Sequence, residues 1–403
     1  MKKLVLLYLS LCPLLVEAQQ FIPFHFDTLV KSQQSFTLTG TADILGNALG
    51  SDIFSKFLFG GTITDEMKGK SLDRHVKINR FGGDLNAELE YRNDKVNFAK
   101  MEEVGFLVKA GMYNFTELIY GKDVFHFAMY GNQPFVGDTV SLSGTQFRNL
   151  TFSKIGFGLT DKRTKSSITF NLVGLQNYTS IGLTDFQMYQ SAEQDTLTIK
   201  YDGATRFSNG GAFMKGMGFA FDFDIRLGGK SARNNPIYFQ ILGKNIGAVF
   251  ANKMQEYKAD NQMTFTGFSY NELNDASSIL KDNQRILDTL GVTQSTVHHS
   301  IFLPGMIQAS KLVDVNSKRI VQEFYGARMY LSRVYIPQVF AGLNIMPFKG
   351  FNVGLSAAYG GFSKFKGGAY LAYAREKINI GISSENLFSK TGVSYLIRLQ
   401  CAF

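Results

Sequence analysis

The stretch Phe219–Leu227, FAFDFDIRL, sets Phe219, Phe221, Phe223, Ile225 and Leu227 alternately with Ala220, Asp222, Asp224 and Arg226. Successive side chains of an extended strand point to opposite faces. One face of this segment is therefore wholly apolar, and the other carries two carboxylates and a guanidinium. Two environments suit such a ribbon. In a soluble sandwich or barrel the apolar face looks into the core and the charges into water. In a membrane barrel the apolar face looks out at lipid and the polar residues line the interior.

The C-terminal quarter repeats the pattern. In GVSYLIRLQCAF, Val393, Tyr395, Ile397, Leu399, Cys401 and Phe403 share one face and Ser394, Leu396, Arg398, Gln400 and Ala402 the other. KINIGISS, FNVGLSAAYGG and VFAGLNIMP alternate in the same way, separated by turns as short as PFKG and ARE, so the segments read as antiparallel hairpins. Their second faces hold small residues: Gly354, Ser356, Ala358, Gly360, Gly381 and Ser383. Further back, strands are expected near 36–44, 79–92, 104–112, 124–130, 151–159, 167–175, 196–207, 216–227, 237–250, 263–270, 302–312 and 320–331. Tandem strands of about ten residues, many aromatics and small inner faces favour the membrane barrel. The expected fold is all-β: a transmembrane antiparallel β-barrel of about 14 strands, with 12–16 open, since single-chain barrels of this kind have even strand numbers.

The first residues agree with export. Lys2 and Lys3 precede the apolar run Leu4–Val16, which is short for a bilayer span, and Val16 and Ala18 stand where a signal peptidase reads small residues. Residues 1–18 are expected to be a signal peptide and 19–403 one barrel domain. Cys12 lies inside the apolar run behind Leu11, against lipidation. Cys401 is then the single cysteine of the mature chain, so no internal disulfide contributes to stability. Past the signal no apolar run approaches the ~20 residues of a membrane helix. The net charge of +9 fits anionic lipid headgroups or lipopolysaccharide; no basic run resembles a nucleic-acid patch.

Two stretches break the period of two. SDIFSKFLFGG (Ser51–Gly61) starts with residues suited to a helix N-terminus and ends in Gly-Gly, which predicts a short helix in the pore or at its mouth. NDASSILKDNQRILDTLG puts Ile279, Ile286, Leu287 and Leu290 on one stripe, between Asn274 or Asp275 as cap and Gly291 as stop. It reads as an amphipathic helix outside the membrane or plugging the lumen.

No constellation for catalysis stands out. There is no Gly-x-Ser-x-Gly, phosphate loop or His-Glu-x-x-His. His298 and His299, adjacent on an extended chain, point apart and cannot share one ion, and are read as a loop pair before a strand. His25 and His126 sit between phenylalanines and His75 in a charged stretch. No catalytic residue, metal site or cofactor is assigned. The barrel reading makes Asp222, Asp224, Arg226 and Arg398 lumen-facing, because an Arg facing lipid near midplane costs ~2–4 kcal/mol. Their plainest role is a bracing salt-bridge network; a solute-selecting lining is the alternative. Tryptophan is absent, so Tyr359, Tyr370, Tyr373 and Tyr395 are expected near strand ends or in the aromatic bands.

SYLIRLQCAF resembles the terminal strand that outer-membrane barrels present to their assembly machinery, which implies Tyr395, Ile397, Leu399 and Phe403 as the assembly signal. LVKAGMYNF, FHFAMYGNQPFVGD, GFAFDFDIRL, YFQILGKNIGAVF, MTFTGFSY and SIFLPGMIQAS, in that order, resemble a Bacteroidota outer-membrane β-barrel family of unknown function. That family is similar in look to long-chain fatty-acid transporter barrels and type IX secretion-associated barrels. The resemblance implies about 14 strands and no catalytic residues. The function read from the sequence is an outer-membrane channel or transporter for a small or hydrophobic solute. The alternative is a non-enzymatic partner barrel supporting a secretion, motility or surface-protein complex. Expected partners are outer-membrane lipid and lipopolysaccharide, the barrel assembly machinery and other outer-membrane proteins, with no nucleic acid.

Overall fold

A computed structural model describes residues 22–24, 33–208, 214–230, 236–266, 291–317, 319–387 and 390–403. Among them one sheet holds β1 (Gln34–Gly46), β2 (Asn79–Asn93), β3 (Val104–Tyr120), β4 (Thr139–Ser141), β5 (Gln146–Asp161), β6 (Ser167–Gln190), β7 (Leu197–Ser208), β8 (Gly216–Lys230) and β9 (Pro236–Phe265). It continues through β10 (Val292–Phe302), β11 (Met306–Leu312), β12 (Val321–Tyr330), β13 (Ile336–Phe348), β14 (Phe351–Gly361), β15 (Phe365–Ala374), β16 (Ile378–Ser384) and β17 (Gly392–Ala402). All pairings between these strands are antiparallel, and β17 returns to β1 in register from Ser35 opposite Ala402 to Leu45 opposite Gly392. The sheet is thus a closed barrel with no edge in the wall.

The wall has fourteen strand positions because three of them are filled by two strands in line. β4 and β5 both lie against β6. β7 and β8 share the groove between β6 and β9. β10 and β11 both pair with β9. Local chemistry explains two of the breaks. Gly144, between β4 and β5, has a φ of 76°, which a strand does not accommodate. Between β10 and β11, Pro304 has no N–H to donate to the ladder.

Side-chain placement answers the question raised by FAFDFDIRL. Phe219, Phe221, Ile225 and Leu227 are exposed on the outside of β8, while Asp222 and Asp224 are buried inside. The same inversion runs around the wall. Leu85 and Leu89 of β2, Ile155 and Phe157 of β5, Leu343 of β13, Ile380 of β16 and Ile397 of β17 face out. Glu88, Lys109, Lys154, Gln240, Arg328 and Lys366 are buried within. An apolar belt around a polar interior is the arrangement lipid selects, because an outward charge there costs ~2–4 kcal/mol.

The two ends differ. Both chain termini of the sheet, Gln34 and Ala402, lie at one end, where turns such as Lys349-Gly350 and Arg375–Lys377 are short. At the far end β6 and β9 run on past the belt. β9 has 30 residues, against the ~9–11 that span a bilayer, and its upper half carries β7 and β10. The far end also holds three helices: α1 (Ser51–Phe59), α2 (Asp65–Arg74) and α3 (Lys122–Tyr130). Thr64 caps α2 by accepting from Met67 N–H, with Asp65 and Glu66 favourably placed in its first turn. Ile53, Tyr120 and Phe125 form the small core that ties helices to wall. At the terminus end Ile22 and Phe24 are buried in the lumen beside Phe324, Phe340 and Tyr370, and the Val313 N–H donates to the Pro23 carbonyl.

Several expectations need correction. Residues 124–130 form α3, not a strand: Asp123 in its first turn and Gly131 at its C-cap, φ 73°, are helix-end signals. Met263 belongs to β9, so 237–250 and the start of 263–270 are one strand. The stretch 302–312 is broken at Pro304, and His298 and His299 lie within β10 rather than in a loop. β15 was not anticipated. Tyr370 faces the lumen, where it donates to Asn344, while Tyr359 and Tyr373 lie exposed on the outside. Of the small inner-face residues, Gly354 is covered: a Cβ there would lie 2.0 Å from the Tyr370 ring. The helix expected at 51–61 is α1, at the far-end mouth. The helix expected at 274–290, the signal peptide and His25 lie outside the described residues.

Candidate functional site: a lumen closed by its own side chains

The interior is layered, beginning with charge at the terminus end. Lys154 of β5 sits 2.6 Å from Asp222 of β8 and 3.5 Å from Glu88 of β2. Glu88 also pairs with Lys244 of β9 at 3.3 Å and accepts from Tyr113 at 2.5 Å. Lys109 and Arg92 flank Glu90 at 3.1 and 3.6 Å. Asp224 accepts from Arg226 at 2.8 Å and from the Gln240 amide at 2.8 Å. Buried charges persist only when paired and hydrogen-bonded; Lys154 with Asp222 and Lys244 with Glu88 join strands far apart in sequence, while Asp224 with Arg226 and Glu90 with Arg92 pair within one strand.

This is where the candidate residues of the FAFDFDIRL stretch lie. Asp222 and Asp224 are joined to different neighbours, Asp222 to Lys154 and the Asn245 N–H, Asp224 to Arg226 and Gln240. Arg398, on β17, lines two small voids of about 100 and 90 Å³, and Arg226 lines the larger of them with Asp224. Ile397, Leu399 and Phe403 are exposed on the outside of the seam strand, with Tyr395 half-buried on the same face. The Phe403 N–H donates to the Gln34 carbonyl, and its ring lies 5.9 Å from that of Phe36.

A second charged layer follows on the β12–β17 side. Glu385 accepts from Arg328 at 2.9 Å, from Lys366 at 3.1 Å and from the Gln338 amide at 2.9 Å. Tyr335 donates to Gln338 at 2.7 Å.

Above both layers side chains meet across the lumen. Tyr330 of β12 donates to Asp84 of β2 at 2.6 Å. The Phe115 ring of β3 lies 5.6 Å from Tyr330 and 6.0 Å from Phe362, and Phe362 in turn covers Gly82 of β2. Ser332 donates to Glu117 of β3, and Glu117 pairs at 2.7 Å with Arg148 of β5, which reaches the Phe302 carbonyl at the end of β10. Here rings and hydrogen bonds from opposite walls meet across the lumen.

Beyond this constriction lies a cavity of about 1320 Å³. Its lining includes Tyr178, Arg206, Lys258 and His299 from the raised strands, and Leu331 and Arg333 from the β12–β13 turn. It also includes Phe219, Phe221 and Phe302, whose rings are exposed on the outer face. The strand break at 303–305 borders it through Leu303. Sequence reasoning missed the constriction. Arg148 and Lys154 share the inner face of β5 and were legible by parity, but inward Phe115 and Tyr330 contradict an apolar-out rule.

Near the helices, His75 is buried between Tyr120 and Phe125. Its Nε2 lies 3.0 Å from the Tyr120 hydroxyl, its Nδ1 lies 2.6 Å from the Ser71 carbonyl, and its ring stacks on Phe125 at 4.1 Å. Burial, with Arg74 and Lys122 nearby, holds this imidazole below its ordinary pKa.

No protein-family model matches the chain, and no curated protein matches it. Among solved structures, the toluene transporter TbuX of Ralstonia pickettii is similar at 9% identity over 96% of this chain and 95% of that one, with a TM-score of 0.41. The toluene transporter TodX of P. putida is similar at 10% identity over 94% and 92%, TM-score 0.41. The translocator domain of the autotransporter NalP from Neisseria meningitidis is similar at 8% over 94% and 91%, TM-score 0.33. At such values the likeness is one of general barrel form, and no solute follows from it.

Proposed function

We propose that the chain is an outer-membrane channel or transporter whose solute, small or hydrophobic, is taken up in the far-end cavity. The observation that carries this reading is the cavity itself: about 1320 Å³, lined by Tyr178, Arg206, Lys258 and His299 and reaching the outer-face rings of Phe219, Phe221 and Phe302, above the contacts that cross the lumen. Rotation of a few side chains would loosen these crossing contacts. Short turns at the terminus end and long connections at the other fit periplasmic and extracellular sides respectively. In this reading residues 1–18 direct export. Tyr395, Ile397, Leu399 and Phe403 present the C-terminal strand to the barrel assembly machinery, and lipid and lipopolysaccharide surround the belt.

One observation favours a second reading, a partner barrel that supports a secretion, motility or surface-protein complex: ion pairs and stacked rings cross the lumen below the cavity. Conductance of the refolded protein in planar bilayers separates the two, measured beside a Phe115→Ala/Phe362→Ala variant. A channel shows low or intermittent conductance that the variant raises. Silence in both, with heat-modifiable folded barrel present, supports the partner reading.

A further inference from the structure

The three helices lie against the outer face of the wall. On β2 the outward residues are odd-numbered, with Leu85 and Leu89 exposed, and on β3 they are even-numbered, with Met112 exposed. Phe81, Leu118 and Tyr120 share those parities, and they are covered by Ile53 of α1 and Phe125 of α3. The Phe54 ring of α1 lies 5.7 Å from that of Phe81. Just below this patch Asn114 and Thr116 of β3 and Asn149 and Thr151 of β5 also face out, bonded to one another at 2.8 Å (Asn114 to Thr151) and 2.7 Å (Asn149 to Thr116). That polar strip ends the apolar belt on this side. From Tyr91 to Phe81, β2 climbs about 25 Å at ~3.3 Å per residue and a tilt of ~40°, which matches the height of an apolar membrane band. The helices therefore stand at headgroup level.

We propose that α1 is an interfacial anchor whose Phe57 and Phe59 rings enter the boundary between headgroups and acyl chains of the adjoining leaflet. Ile53, Phe54 and Phe57 fall on one helical stripe. Ile53 is wholly buried, yet Phe57, one turn on, is 61% exposed, and Phe59 at the helix end is 86% exposed. The stripe that covers the wall thus runs past it, into whatever adjoins the wall at that height. Lipid adjoins the belt, so one occupant continues from Leu89 and Leu85 to Phe57. Lys56, half-buried in the last turn, has a stem long enough to keep its ammonium among anionic headgroups while the rings sink. A helix that pairs an apolar aromatic side with a cation binds the interface in this way. The anchor rests on the membrane reading of the belt and holds whether or not the lumen conducts.

Tryptophan fluorescence tests this, because the chain has no tryptophan and a single introduced one reports alone. Phe57→Trp, Phe59→Trp, Leu85→Trp in the belt and Tyr189→Trp near the end of β6, far above the belt, are each refolded at full length into phosphatidylcholine vesicles, with and without lipid brominated near the headgroup end of its acyl chains. Leu85→Trp and Phe57→Trp are expected to lose emission to the brominated lipid, Phe57→Trp by at least half the fraction that Leu85→Trp loses. Tyr189→Trp is expected to keep its emission there and to be quenched by aqueous iodide instead. Phe59→Trp should follow Phe57→Trp, and serves alone if Phe57→Trp gives no heat-modifiable barrel. Iodide quenching of the helix variants as strong as that of Tyr189→Trp, without loss to brominated lipid, overturns the anchor. So does emission shielded from both quenchers, which means that protein, a second copy or another part of this chain, covers the rings. An unquenched Leu85→Trp in brominated lipid overturns the membrane reading of the belt and the anchor with it.

Discussion

Replacing Lys154 with methionine isolates the energetics of the charged interior. The side chain is wholly buried, with its ammonium 2.6 Å from Asp222, 2.8 Å from the Asn245 amide oxygen and 3.5 Å from Glu88. Methionine preserves the apolar stem and length but removes the charge. Glu88 keeps Lys244 and the Tyr113 hydroxyl, whereas Asp222 keeps the Asn245 N–H without its ammonium. Removing one member of a buried pair costs ~3–5 kcal/mol, because the other charge stays buried. With an unfolding slope of ~3 kcal/mol/M, the urea midpoint in lipid vesicles should fall by about 1–1.7 M. Adding Asp222→Asn to the Lys154→Met chain should recover more than half of that loss. A drop under ~1 kcal/mol, or a double variant no more stable than the single, would refute the account of a paired, poorly solvated interior.

Three further outcomes follow from other parts of the molecule. Ile380→Arg places a guanidinium in the lipid belt and should cost ~2–4 kcal/mol by the same urea assay, with Ile380→Leu nearly neutral. His75 has a depressed folded pKa, so the folded state takes up its proton less readily than the unfolded one. Its contribution is therefore intact above the ordinary histidine value of about 6.5 and declines as pH falls from there toward the depressed folded value; amide protection factors over α1 and α2, referred to the intrinsic exchange rate at each pH, should fall between pH 7.5 and 5.5 in the parent and change less in His75→Gln. Phe403→Ser should reduce heat-modifiable barrel in the outer membrane, and normal amounts would remove the terminal aromatic from the assembly signal.

The parts of the fold legible in the sequence were those where lipid and lumen impose opposite demands on neighbouring residues. β8 and β17 are the clearest, because a charge at Asp222 or Arg398 pins the parity of every residue around it. Beyond the belt that contrast disappears, so β9 looked like two strands although no Gly or Pro interrupts it between Phe250 and Met263. β15 was obscured because tyrosines occupy both of its faces, Tyr370 inside and Tyr373 outside. The closing contacts were out of reach for a different reason. Asp84 and Tyr330 are 246 residues apart, Glu117 and Ser332 215 apart, and no local pattern announces partners at that distance. Small inner-face residues were compatible with open space or with cover, and at Gly354 the space is a seat for the Tyr370 ring. Ser383, wholly buried in the lumen, would therefore resist an arginine as overpacking, even though its face avoids lipid.

The seam between β1 and β17 also governs how the barrel is reached in time. Most wall ladders join strands that follow one another closely in the chain, and each can zip from its own turn. The seam joins Thr37 to Gln400, 363 residues apart, and the logarithmic loop law assigns its closure an entropic cost of about 5 kcal/mol. That cost falls on one ladder. Until Gly392–Ala402 arrives, β1 and β16 remain two unpaired edges in a curled sheet, open to pairing with other chains. Closure is consequently the late and vulnerable step, and a chain that loses its final strand loses the barrel rather than one fourteenth of it.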